Sequence, residues 1–145
     1  MKKYIIFSFL MLSSPVMAGF SDYACLHLEI TIKNNTQNTC YLIEHEAQSG
    51  FIYSEKHDLA FKILPGEESS VLDLINGLSS GPNIDLQYEC GEGRYITLHT
   101  EKNMCGNDNT TTAFLLSAAN LSANPETTPA SYWSNKPATV HWTIY

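Results

Sequence analysis

Five histidines and 15 carboxylates are the groups from which acid–base, nucleophilic or metal chemistry could be assembled in this chain. His27, His45, His57, His99 and His141 fall into neither H-x-H nor H-E-x-x-H, the spacings that put two imidazoles on one metal. His27 and Glu29 stand two apart in an alternating segment, so they share one strand face, and Glu44-His45-Glu46 flanks an imidazole with carboxylates. Separate strands could bring these groups together as metal ligands. Solvated strand faces are the simpler account, and no metal and no cofactor is expected.

Gly77-Leu78-Ser79-Ser80-Gly81 has the G-x-S-x-G pattern of a nucleophile elbow. An elbow needs a strand before it, a helix after it and a large α/β sheet around it. Here Pro82 follows at once and the next segment alternates like a strand, so a turn without chemistry is expected. Asn107-Asp108-Asn109 lacks the rest of a calcium-binding loop. Glu67, Glu68 and Asp73 are carboxylates from which a glycosidase-type pair could be drawn, but the deciding quantity is their separation in space. No catalytic residue is assigned on these grounds. A small secreted hydrolase using strand carboxylates or histidines is the alternative reading.

Cys25, Cys40, Cys90 and Cys105 are an even set, which in a small exported domain reads as two disulfides. The gaps within each close pair are too long for the C-x₂₋₄-C clasps of a structural zinc site, and no C-x-x-C is present. Three connectivities are open. Cys25 and Cys40 flank one expected strand and Cys90 and Cys105 another, so local pairing requires the chain to double back, and pairing between the two halves is favoured. Tyr132-Trp133, between Pro129 and Pro137, is the candidate binding pair, because loop aromatics offer contact area to a sugar, a lipid headgroup or a protein. The competing account folds Trp133 back as a plug. Trp142 belongs to the core.

The elements that must position these residues alternate with period two. Leu26 to Lys33, Cys40 to Ala47, Leu59 to Ile63, Ile84 to Cys90, Arg94 to Thr100 and Val140 to Ile144 read as strands. Val71 to Ile75 is a short apolar piece, strand or helical turn. Ala113 to Ala118 is nearly continuous in apolar residues, which suits a strand buried on both faces. Residues 119–137, rich in Ala, Asn, Ser, Pro and Thr, read as the longest loop. No long window has helical period. The expected fold is an antiparallel β-sandwich of about seven or eight short strands, with a small β-barrel as the alternative.

Composition narrows the partners. A basic start (Lys2, Lys3), an apolar run to Leu12 and Val16-Met17-Ala18 form the three parts of a secretory signal peptide, with cleavage expected after Ala18. The chain then divides into residues 1–18, a signal, and 19–145, a single disulfide-bonded β domain. It loses two of its eight basic residues on cleavage, leaving six against 15 acidic ones and a charge of −9. Such a charge disfavours nucleic acid. No apolar run is long enough to span a bilayer as a helix, so an integral membrane protein is not expected. The reading is a secreted or periplasmic, non-catalytic binding domain whose partner is a host or envelope glycan, lipid or protein.

Several segments together resemble known proteins. Ile30-Thr31-Ile32-Lys33-Asn34-Asn35-Thr36 with Cys40-Tyr41-Leu42, Ile63-Leu64-Pro65-Gly66, Gly81 to Gly91, Ser131-Tyr132-Trp133 and His141-Trp142-Thr143-Ile144 are similar, in order and cysteine placement, to small uncharacterised exported proteins of Legionella-like intracellular bacteria. That resemblance implies a secreted disulfide-bonded domain delivered by type II secretion, and it carries over no active-site residue. The opening I-x-I-x-N-N-T strand also resembles those of aegerolysin-type lipid-binding sandwiches, from which the disulfides depart.

Overall fold

In a computed structural model, which describes residues 23–53, 59–104, 110–131 and 134–145, the alternating segments form two five-stranded sheets. The first orders β3 (Phe51–Ile52), β5 (Leu72–Ile75), β1 (His27–Asn34), β10 (Ala138–Ile144) and β9 (Ala123–Thr128). The second orders β4 (Lys62–Ile63), β2 (Cys40–Ser49), β6 (Asn83–Glu89), β7 (Tyr95–Lys102) and β8 (Thr111–Ala119). A single helical turn, α1 (Tyr23–Leu26), leads into β1. The sheets stay open and separate, so the fold is a sandwich and not a closed barrel.

The central strands β1, β10, β6 and β7 each put one alternate set of side chains into a shared core. Leu28, Ile30 and Ile32 of β1 meet Val140, Trp142 and Ile144 of β10 on one side, and Ile84, Leu86, Tyr88, Ile96 and Leu98 line the other. Removing such a side chain from water contributes on the order of 1.5–3 kcal/mol. Trp142 is fully buried, and its indole N–H donates to Thr100 Oγ1 at 3.0 Å. Asn34 closes one end of the core. Its amide donates to the carbonyls of Asn38 (2.8 Å) and Ile63 (3.0 Å) and accepts from the Thr36 amide (2.9 Å).

Four expectations are corrected. First, the strands number ten among the described residues, and one pairing is parallel: β1 runs beside β10 from Leu28↔Ala138 to Asn34↔Ile144. Second, residues 119–137 are not one loop, because 123–128 pair with β10 despite Pro125; an edge strand tolerates a residue without an N–H. Third, of the Leu59–Ile63 segment only Lys62 and Ile63 join a ladder. Fourth, β8 is not buried on both faces: it is the edge of its sheet, and Phe114, Leu116, Ser117, Ala118 and Ala119 are exposed. An apolar run reports a preference for cover; it does not specify what supplies the cover.

Bulges also break the expected alternation. In β2 the register slips at Ile43, so Tyr41, Glu44 and Glu46 share one face and Leu42, His45 and Ala47 the other, with His45 and Ala47 still exposed. In β8 it slips at Leu116. Each slip leaves a large aliphatic side chain half exposed at the rim of the second sheet.

Candidate functional site

Among the described residues the imidazoles are distributed over both sheets. On the first sheet His27 is buried, and its Nδ1–H reaches both Asp73 carboxylate oxygens at 2.9 Å, with the Tyr53 ring edge-on at 5.6 Å. His141 Nδ1 lies 2.7 Å from Thr31 Oγ1 and 3.3 Å from Glu68 Oε1. Hydroxyl and carboxylate therefore meet the same ring nitrogen. A proton relay needs them on opposite nitrogens, so these three residues do not form one. On the second sheet His99 Nδ1–H donates to Asp85 at 2.6 Å, its Nε2 is 3.7 Å from Glu101, and the Phe114 ring covers it at 4.5 Å. His45 is exposed on β2, and His57 lies outside the described residues. His27 and Glu29 are thus on one sheet and Glu44-His45-Glu46 on the other, so the structure does not bring these two groups together. Among the described residues no group of three His, Cys, Asp or Glu side chains has the geometry to hold a metal.

Two shallow concavities lie on the second sheet. One, about 170 Å³, is lined by Glu44, Glu46, Asp85, Gln87 and Thr97. Asp85 is already engaged by His99 and by Gln48, whose amide donates to it at 3.0 Å. The other, about 370 Å³, is lined by Asn38, Thr39, Tyr41, Glu89, Gly91 and Glu92. There a hydrogen bond to Glu89, reinforced by that carboxylate's charge, holds the exposed Tyr95 hydroxyl above its ordinary pKa.

The connections at the two ends of the sandwich differ in chemistry. At one end lie α1 with Cys25 and Leu26, the Gly50 corner, the 76–82 loop, the start and finish of the β7–β8 connection and the β9–β10 hairpin. Gly77-Leu78-Ser79-Ser80-Gly81 sits here as a turn, with the Gly77 amide donating to the Ser80 carbonyl at 3.0 Å and no helix following. A Cβ on Gly81 would stand 1.7 Å from the Lys102 carbonyl, so only glycine lets the loop lie this close to β7. Leu78 at the tip is 100% exposed, and Leu26, Phe51 and Met104 are exposed around it. Among the described residues these connections contain no carboxylate, and they carry Lys136; Asp108 belongs to one of them by sequence and lies outside the described residues. Beneath the loops Lys102 is buried, its ammonium donating to the Cys25 carbonyl, and burial lowers its pKa.

Tyr132 and Trp133 lie outside the described residues, as does Cys105. The residues flanking the aromatic pair are pinned: Ser131 and Lys136 exchange backbone hydrogen bonds at 2.9 and 3.1 Å, and Ser134 Oγ is 2.8 Å from Ser131 Oγ. The flanking residues belong to the β9–β10 connection, at the same end as Leu78. The expected turn is present, but the G-x-S-x-G pattern does not mark Leu78 as exposed. A lone Leu between small residues in a turn was the available signal.

At the opposite end Cys40 and Cys90 form a disulfide across neighbouring strands. This is pairing between the two halves. Cys25 is also disulfide-bonded, and no described cysteine is free. The surrounding connections carry Glu67, Glu68, Glu92 and Arg94.

No protein-family model and no curated protein sequence matches this chain. Solved structures do. The lipid-binding protein Nakanori superposes with a TM-score of 0.65 at 11% identity, over 82% of this chain and 70% of that one. IP-1A from Alcaligenes faecalis gives 0.55 at 8% identity over 83% and 91%, and RahU, solved with Tris, gives 0.53 at 12% over 84% and 97%. At such identities the likeness is one of fold. Among the described residues no helix is long and apolar enough to cross a membrane.

Proposed function

We propose that this chain is an exported lipid-surface binding module that docks through the Leu78 end. The observation that carries the reading is a fully exposed leucine at the tip of a carboxylate-poor loop cluster in a strongly acidic protein. An apolar side chain surrounded by small polar residues can enter the headgroup region without stranding backbone groups in hydrocarbon. The absence of carboxylates among the described residues of those connections limits repulsion from anionic headgroups. Tyr132 and Trp133, the binding pair expected from sequence, fit this role because aromatic side chains favour the membrane interface. The lipid-binding neighbour supports the reading, as do the signal-like opening segment and the disulfide, which belongs in an oxidising compartment. The resemblance to exported bacterial proteins supports type II secretion as the route.

Vesicle co-sedimentation tests it. Wild-type protein should pellet with phospholipid vesicles, and Leu78→Ser should bind roughly tenfold to a hundredfold more weakly, the worth of one leucine removed from water. Trp133→Ala should weaken binding by a similar factor. Wild-type protein that binds glycans on an array but pellets with no vesicle would refute the lipid assignment.

A further inference from the structure

Four strands end the two sheets, and three of them are protected against pairing with another chain. β3 and β4 are two residues long, and β9 carries Pro125 and Glu126. Very short strands, proline and charge are the usual ways of keeping a sheet edge closed to outsiders. β8 has none of these. It runs nine residues, and no charged residue occurs from Thr110 to Pro125. It is bonded to β7 along one side, and among the described residues it has no ladder on the other. β9 follows it through residues 120–122 but pairs only with β10.

We propose that β8 is a self-association edge: two copies of this chain pair their β8 strands antiparallel about a two-fold axis, joining their second sheets into one continuous ten-stranded sheet. An exposed edge offers unpaired N–H and C=O groups, and their natural complement is another strand. Charge identifies that strand. Two copies of a chain with 15 acidic residues repel over most of their surfaces, and this neutral stretch lets them meet without opposing like charges. The run from Thr111 to Leu115 keeps an unbroken register against β7, before the slip at Leu116. The axis therefore falls at Ala113, whose small side chain meets its own copy, while Thr112 stands opposite Phe114 of the partner subunit. Such an interface is isologous and closes at two copies. It also accounts for the composition of β8, which is that of a strand with neighbours on both sides.

Sedimentation equilibrium on the purified exported protein, without lipid, tests this. The wild type should be dimeric at about 100 µM, and Thr112→Lys/Leu116→Lys, which places the residue of protected edges on β8, should be monomeric with an unchanged melting temperature. Hydrogen exchange on the wild type gives a reading independent of that variant's folding. The β8 amides facing away from β7 should exchange at least about tenfold more slowly at about 100 µM than at about 1 µM, while those of β9 should not change. A wild type that stays monomeric, a dimer that survives the double substitution, or concentration-independent exchange in β8 would each overturn the proposal. So would a dimer formed only on vesicles, since lipid would then be the occupant.

Discussion

The two ends of the sandwich are built from similar turns and put to different uses. At the Cys40–Cys90 end the polar groups turn inward: the Asn34 amide satisfies two carbonyls and a backbone N–H, and Gly66 and Glu67 hydrogen-bond the strand that Asn34 ends. At the Leu78 end apolar groups turn outward, and the side chain of Lys102 is buried beneath them. One end is therefore closed by a network of hydrogen bonds beside its disulfide and contributes to stability. The other leaves apolar surface uncovered, which contributes nothing to its own core and becomes useful only against a partner. A sandwich suits this division because its core lies between the sheets and needs little from the loops at either end.

Four measurements sharpen or break the contrast. The largest effect should come from the disulfide. Cys40 and Cys90 are 50 residues apart, and replacing both by alanine should cost about 4 kcal/mol by the loop-entropy estimate, read from denaturant midpoints. Vesicle binding measured well below the melting temperature should be unaffected. Asn34→Ala should come next, at about 3 kcal/mol, because it leaves buried backbone groups unpaired. A loss below about 0.5 kcal/mol would mean that water replaces the amide and that this end is less tightly closed than its geometry indicates.

Alkali should move the two ends in opposite directions. Burial raises the Tyr88 pKa, so its contribution is complete below the unfolded value of 10.0 and declines as the pH passes above it. Burial lowers the Lys102 pKa, so its cost is present at neutral pH and lifts as the pH rises towards the unfolded value of 10.5. In stability measured between about pH 8 and about pH 11, Tyr88→Phe should remove the decline and Lys102→Met the rise. Identical curves for the two variants would contradict the assignment. The smallest effect should be that of Leu78→Ser on stability, within about 0.5 kcal/mol of zero, as for an exposed loop residue. A larger loss would make Leu78 a packing residue and close the case for an outward-facing end.

Much of this was legible in the residues. Leu28, Ile30 and Ile32, or Ile84, Leu86 and Tyr88, alternate cleanly because each strand has one wet face and one dry one. Trp142 in step with Val140 and Ile144 could only be core. The bulges at Ile43 and Leu116 were not legible, since one extra residue leaves the composition unchanged while moving every later side chain to the other face. Nor was β9, where Asn124-Pro125-Glu126 reads as a turn until β10 supplies the ladder. The histidine pairs share that obscurity. His27 and Asp73 are 46 positions apart, and β1–β5 pairing, not spacing, brings them into contact. Leu78 was visible as a residue, but its role depends on which end of the molecule the loop occupies.

The parallel contact between β1 and β10 has a consequence in time. Leu28 lies against Ala138, so the middle of the first sheet joins residues separated by nearly the whole folded length of the chain. Closing so long a loop precedes any gain from the strands it brings together, which makes this pairing a late and slow event. A chain emerging from its N-terminus has no partner for β1 on that side until residues 138–144 are free to insert between β1 and β9. Until then the first sheet is incomplete, with β1 held on one side alone by β5.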